Sequence, residues 1–340
     1  MSSTGDFNNN GGNSGSAQLY LGGDSDKVTV AGNLTNTAVV SLAGTNDSVA
    51  VTGNLTNSYV LGLYGTNDSV SVTGAFSNTN TGGVVIYGPH INGASGNTLT
   101  VATWSNLDSP DGNLTGGYYD IGGVFQYSAP ANGITSIGSG VEVDLAPGGL
   151  ITPDGHTDAL AGLASNAGAL YLDDYPESFT PAGSPGTFSN SGGLHLYNDS
   201  GSTTSLTVNG NFDNSGITQF YGSSAQGLSV TGNSSNEGTV EMDGPGDSFS
   251  TKDTFNNNSG TNSGGSFSLT GASDQVSVTG NFNNNAGASV TMKGTNGRMV
   301  AAMAFIDSGT VALSGTGDIL SAASFTNTGG NVFVLSLIHI

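Results

Sequence analysis

The chain has 340 residues, 56 of them glycine, and only 9% are charged; four Lys and Arg stand against 25 Asp and Glu, for a formal charge of −21. That balance excludes nucleic acid and anionic membrane surfaces as partners, because both are gripped by clustered Lys and Arg. The absence of cysteine excludes disulfides and thiolate metal sites, and fits a chain that is exported unfolded.

Gly, Asn, Ser and Thr dominate, yet Val, Leu, Phe and Tyr recur at regular places, which a disordered chain lacks. From the N-terminus, "GDFNNN" carries the first apolar anchor, Phe7. Val28-Thr-Val30 then leads to Leu34, Val49-Ala-Val51 to Leu55, Val70-Ser-Val72 to Phe76, and Leu99-Thr-Val101 to Trp104. "GTNDSVAVTGNLTN" from Gly44 and "GTNDSVSVTGAFSN" from Gly65 are one sentence written twice, 21 residues apart. The pattern weakens between Asn113 and Leu163 and resumes at "ASNAGALYL" from Ala164, which matches "FSNSGGLHLY" from Phe188. Leu206-Thr-Val208 leads to Phe212, Leu228-Ser-Val230 to Ser234, the one polar anchor, and Val276-Ser-Val278 to Phe282; Phe255, Phe305 and Phe325 complete the series. A second alternating segment follows many anchors, as in Leu61-Gly-Leu63, Leu194-His-Leu196, Val240-Glu-Met242, Val290-Thr-Met292 and Val311-Ala-Leu313. Period-2 alternation with small polar partners marks strands with one buried face, and Gly, Asn and Asp fill the joints.

Two residues after the anchors stand Asn9, Asn36, Asn57, Asn78, Asn106, Asn190, Asn214, Asn236, Asn257, Asn284, Asp307 and Asn327, and Asn166 joins them by the match just described. A side chain demanded once per 20 to 28 residues, in register with two or three short strands, predicts an all-β parallel β-helix, or β-solenoid. Its inward Val, Leu and Phe stack, and each Asn amide bonds its equivalent in the next coil. About 15 coils at the strand spacing of about 4.8 Å predict a rod roughly 70 Å long. A β-sandwich also uses short, regularly spaced strands but has no reason to repeat one turn Asn in register. The reading is one repeat domain over residues 1–334, with irregular coils and insertions around 107–187.

Strings such as "VTGNLTNSYVLGLYG", "LTVNGNFDNSGITQFYG" and "VSVTGNFNNNAGASVTMKG" resemble the passenger repeats of bacterial autotransporters and filamentous-haemagglutinin-like adhesins. The resemblance covers most of the chain. It implies a right-handed β-helix, secreted or displayed at the bacterial cell surface in association with the outer membrane. Neither a signal segment nor a translocator barrel is present in the sequence. The final "LSLIHI" (residues 335–340) breaks the repeat and resembles a translated sequencing adapter, and "GDFNNN" follows Met1 at once, so the chain reads as an interior slice of a longer protein.

Asp26, Asp47, Asp68, Asp247 and Asp274 each stand eight residues before an anchor and three after a Gly, with Asn97 in a similar place. A column of carboxylates could bind Ca²⁺ through its oxygens. The competing reading is an Asx turn in which each side chain accepts a backbone N–H; the spacing does not match the tandem calcium nonapeptide. No other cofactor is expected.

Polysaccharide-cleaving chemistry would need paired carboxylates, and the irregular stretch offers Asp154, His156, Asp158, Asp173, Asp174 and Glu177. No motif joins them, and only Lys27, Lys252, Lys293 and Arg298 could meet a polyuronate. His90, His156 and His195 lack metal-ligand spacing, and His195, between Leu194 and Leu196, should point outward. Trp104 occupies an anchor position and is expected in the core. Tyr118 and Tyr119 are adjacent, so one of them should face outward as a glycan-stacking patch. The Thr52, Thr73, Thr231 and Thr279 register does not form the paired rows of an ice-binding face, and the sequons at Asn33, Asn54 and Asn113 arise from composition.

The functional expectation is a non-catalytic stalk or adhesin passenger that binds a glycan or cell-surface ligand through insertions near Pro110–Tyr127 and Asp173–Pro185, inserts into no membrane in this segment, and packs on neighbouring coils of the full-length protein. The alternative is a carbohydrate-active β-helix, a hydrolase or lyase, with its site in the irregular coils.

Overall fold

The computed structural model describes residues 1–11, 18–79, 81–88, 96–130, 133–174, 176–198, 201, 203–260 and 264–334. Residues 335–340 and His90 therefore lie outside the described residues. Among the described residues every regular element is a strand, and the strand-to-strand ladders are parallel, as a β-helix requires. The strands amount to about 13 turns, against the 15 or so coils expected. They form two compact units, Met1–Gly162 and Leu163–Ile340.

In the first unit, one sheet face stacks Ser2–Ser3, Lys27–Val30, Ser48–Val51, Ser69–Asn78, Thr98–Trp104, Val124–Ala129 and Leu150–Thr152. A second face stacks Gln18–Leu21, Val39–Leu42, Val60–Leu63, Gly83–Ile86, Tyr118–Ile121 and Glu142–Leu145. Between them lie the anchor strands Phe7–Asn9, Leu34–Asn36 and Leu55–Asn57, the last pairing with the end of Ser69–Asn78. The second unit repeats this plan. Its anchor strands Thr187–Asn190, Asn211–Asn214, Ser234–Asn236, Phe255–Asn257 and Phe282–Asn284 pair each with the next, the last with the end of Arg298–Asp307.

Alternation explains the cores. Val28, Val30, Leu34, Val40 and Leu42 are buried, as are their equivalents coil after coil. Because the register repeats, like meets like: Leu34 pairs with Leu55, Leu55 with Phe76, and Phe76 with Trp104. In the second unit Phe255, Phe282, Phe305 and Phe325 stack with ring centroids 4.8, 4.8 and 5.5 Å apart. Ser234 holds the polar anchor place, fully buried, and its hydroxyl has no hydrogen-bond partner.

The stretch that looked irregular is more regular than its sequence. Tyr118–Ile121 and Val124–Ala129 are ordinary strands, with Tyr119, Phe125 and Tyr127 turned into the core. The expected projection over Pro110–Tyr127 thus shrinks to the turn before Gly117, where Leu107 and Leu114 form an antiparallel bridge. Likewise Ala169–Asp173 and Pro176–Phe179 are strands, leaving the loop around Pro181–Gly186. Aromatic residues replaced the usual Val and Leu there, which hid the alternation without changing its period.

Turn ladders and a candidate functional surface

In both units, turns after the anchor strands are closed by polar side chains that reach the adjacent coil. In the first ladder, Asn9 Nδ2 donates to Asn36 Oδ1, Asn36 to Asn57 and Asn57 to Asn78, at 2.7–2.9 Å. The second unit continues the same chemistry through Asn166, Asn190, Asn214, Asn236, Asn257, Asn284 and Asp307, at 2.8–3.0 Å. The other N–H of each amide caps a backbone carbonyl at the start of the next coil's second strand, such as Val60 for Asn36 and Thr239 for Asn214. All these side chains are buried, where an unmade bond would be costly.

Two of the expected ladder positions depart from it. Asn106 Oδ1 accepts the backbone N–H of Asn78 at 2.7 Å, and its Nδ2 donates to Asn78 O and Thr115 O. The inserted turn after Leu107 draws that amide to itself, and Asn78 Nδ2 turns to Tyr118 O at 3.2 Å. Asn327 is exposed and bonds only its own turn, at Gly329 and Gly330.

A second ladder runs through the Gly-x-x-Asp turns. Asp47 Oδ1 accepts the N–H of Asp26 and its Oδ2 that of Gly44; Asp68 does the same for Asp47 and Gly65. Asn97 Oδ1 accepts from Asp68, while its Nδ2 donates to Gly65 O. Asp247 serves Gln226 and Gly244, and Asp274 Oδ1 takes the Asp247 N–H at 3.2 Å. Asp318, which one residue of altered spacing concealed, serves Gly297 and Gly315; the Gly three residues before it was the signal. The residue preceding each of these positions is left-handed: Ser25, Asn46, Asn67, Gly96, Gly246, Ser273 and Gly317. Only Gly, Asn and a few small polar residues tolerate that conformation. A Cβ at Gly44 would collide with Gly23 O, and one at Gly65 with Gly44 O, so the leading Gly is set by the closeness of the coils.

Asp47, Asp68 and Asp247 thus accept a local and a cross-coil N–H, Asp26 accepts the local Gly23 N–H at 3.0 Å, and Asp274 takes the cross-coil one; among the described residues no group of three acidic or His side chains converges as a metal site. A third row, exposed, joins the "GN" steps: Asp6 Oδ1 accepts from Asn33 N, Asn33 Oδ1 from Asn54 N, and Asn54 Oδ1 from Ala75 N. Two of the sequons thus double as turn links.

The candidate chemical residues divide between the units. Asp154 is held by its own loop, accepting from Thr152 Oγ1, His156 N, Thr157 N and Thr157 Oγ1, and these bonds keep its carboxyl well below the usual range. Asp158 Oδ1 accepts from Leu160 N, and Glu177 Oε1 from Ser178 N. Asp173 lies beside Tyr197 in the sheet, and Asp174 is left-handed in the turn that follows.

Trp104 is fully buried, 4.6 Å from Phe125 and 5.3 Å from both Tyr119 and Tyr127 by ring centroids, and its Nε1 donates to Tyr119 Oη at 3.3 Å. Burial pushes the Tyr119 hydroxyl upward. Of the pair offered as a ligand patch, Tyr119 therefore belongs to the core, and Tyr118 remains on the outer face, half-buried.

The outer face of the second unit carries a feature the sequence reading missed. Tyr171 and His195 pair across adjacent strands with rings stacked at 4.4 Å and 10°, and His195 meets the edge of Tyr221 at 6.0 Å. Tyr221 also packs on Tyr197 at 4.7 Å. His195 points outward as expected, and burial lowers its pKa. Gln219 beside it donates to Asp243 at 3.3 Å. The signal was available: Tyr171, His195, Tyr197 and Tyr221 stand at the second or fourth place of the matching "LYLD", "LHLY" and "TQFY" strings, the places that alternate with the inward residues.

Comparison with family models, with curated proteins and with solved structures yields no match for this chain.

Proposed function

We propose that this chain is a structural and adhesive repeat region of an exported bacterial surface protein, a stalk or adhesin passenger that binds its ligand without turning it over. The observation that carries this reading is the consumption of turn chemistry by structure. Most of the recurring Asn side chains, and most of the recurring Asp side chains of the Gly-x-x-Asp turns, are engaged in hydrogen bonds between coils. A solenoid linked in this way from coil to coil is a stiff scaffold, and recognition falls to what faces outward. The outer ridge of Tyr171, His195, Tyr197 and Tyr221, and Tyr118 on the first unit, offer aromatic edges beside amide and carboxylate groups, a combination suited to hydroxyl-rich glycans.

The test is binding of the purified chain to a glycan array and to whole cells, with a polysaccharide panel run alongside for turnover. Binding that is lost in a Tyr197→Ala/Tyr221→Ala variant or a Tyr118→Ala variant, with no product released, supports the adhesive reading. Polysaccharide cleavage abolished by Asp173→Ala or Asp174→Ala would replace it with the carbohydrate-active alternative.

A further inference from the structure

The Gly-x-x-Asp row of the second unit is short of hydrogens. Gln226 opens it with a buried Oε1 that has no hydrogen-bond partner, its Nε2 being taken by Ser224 O. Asp247 follows with two backbone donors, Gln226 N at 2.9 Å and Gly244 N at 2.8 Å. Asp274 is next and differs from Asp47, Asp68, Asp247 and Asp318, each of which accepts two backbone N–H groups. Its Oδ1 accepts one N–H, from Asp247 at 3.2 Å, while its Oδ2 is buried without a partner. Gly271, the counterpart of Gly44, Gly65, Gly244 and Gly315, directs its N–H to Met242 O at 3.0 Å and keeps only a weaker interaction with the Asp274 carboxyl group, which leaves Oδ2 unserved. The coil beyond offers no side chain, because pairing of Gln275 with Arg298 places Gly297 opposite Asp274.

The charges around this carboxyl group are of one sign. Asp247 and Asp243 both act on Asp274, and Asp243 is already engaged by Gln219 Nε2 and Thr270 Oγ1. Of the nearby cations, Arg298 is exposed and gives Asp274 only its backbone N–H, to the carbonyl oxygen at 2.8 Å, while Lys293 acts on Glu241. A buried row with surplus acceptors, stacked carboxylates and no compensating cation is relieved by adding a hydrogen.

We propose that the Gln226–Asp247–Asp274 row binds a proton in the folded protein, so that the unit Leu163–Ile340 is an acid-stabilised solenoid that loosens as the pH rises from acid to neutral. The direction of titration agrees. Burial first, then the Asp247 charge, pushes Asp274 up to about 7, and burial pushes Asp247 up to about 6. A folded-state value above the unfolded one gives stability that is complete below about pH 4 and is lost as pH rises through 6 to 7.

The test is thermal unfolding of the full chain between pH 4.5 and 9, for the wild type and for Asp274→Asn, which supplies an N–H in place of the proton. The expected result is a second-unit transition about 5 °C higher at pH 5 than at pH 8, and an Asp274→Asn variant whose transition is less dependent on pH and higher than the wild type at pH 8. A wild-type transition that is flat or falls toward acid, or a variant that keeps the full slope, overturns the proposal. Titration of the Asp274 side-chain carbon by NMR in the wild type decides the matter should the variant fail to fold: a midpoint near 7 supports it, and one near 4 overturns it. A transition raised by Ca²⁺ at pH 8 in the wild type and unmoved in Asp274→Asn would also overturn it, since the row would then take a metal ion.

Discussion

Asn36 Nδ2 lies 2.7 Å from Asn57 Oδ1, across 21 residues of sequence and one turn of the solenoid. The same contact recurs in the second unit, as between Asn214 and Asn236 at 2.8 Å. Each amide is both donor and acceptor, which lets one residue type propagate a chain of buried bonds without a charge. Serine, with one hydrogen and a shorter reach, cannot bond the next side chain and the next carbonyl together.

Removing one rung should therefore cost more than removing one bond. Asn236→Ala deletes donation to Asn257 Oδ1 and Ser266 O and leaves Asn214 Nδ2 short of its acceptor. A loss of about 2–4 kcal/mol is expected, read as a fall of roughly 5–10 °C in the melting of the second unit. Glu237→Ala, at the exposed neighbour, should melt with the wild type. Equal melting of Asn236→Ala and Glu237→Ala would mean that the ladder carries no net stability.

Asp307 occupies a place where the rungs before it present an amide. Asn284 Nδ2 donates to its Oδ1 at 2.8 Å, but its Oδ2 is buried with no hydrogen-bond partner. Register places Asn327 and Asn331 in the following coil where the donor of an asparagine would point. Asp307→Asn should accordingly raise stability by about 1–2 kcal/mol, seen as a higher denaturation midpoint in urea with unchanged slope. A lowered midpoint would show that the carboxyl group is already satisfied.

Trp104 is the single tryptophan and lies in the core of the first unit. Its fluorescence should be blue-shifted and shielded from acrylamide in the native protein, and should report the unfolding of Met1–Gly162 alone. Trp104→Ala should destabilise that unit by about 3–5 kcal/mol. A water-like emission maximum before unfolding would contradict the packing against Phe125 and Tyr127.

The architecture was open to reading because its signals are local and repeated. Alternation such as Val49-Ala-Val51 fixes which side of a strand is buried, and a recurring turn residue such as Asn57 fixes where the coil bends. The glycine three residues before Asp47 and Asp68 was visible as a repeat, and the structure supplies its reason, the carbonyl oxygen of the preceding coil's glycine, which a Cβ would meet. The stretch from Tyr118 to Tyr127 misled for a chemical reason: large aromatic residues took inward places that elsewhere hold Val or Leu. Asp318 escaped notice through one residue of altered spacing.

What the sequence by itself determined is the repeating unit: its strands, its inward faces, its turn residues and the parallel stacking that follows when every coil carries the same register. What only the tertiary structure decided is which neighbour each residue meets. Asn106 left the ladder because an inserted turn claimed its amide, Tyr119 entered the core while Tyr118 stayed outside, and Asp274 was left with a buried Oδ2 that no donor reaches. Hydrogen-bond satisfaction is a property of pairs of coils, and the partner atom lies some 20 to 30 residues away, beyond the reach of any local pattern.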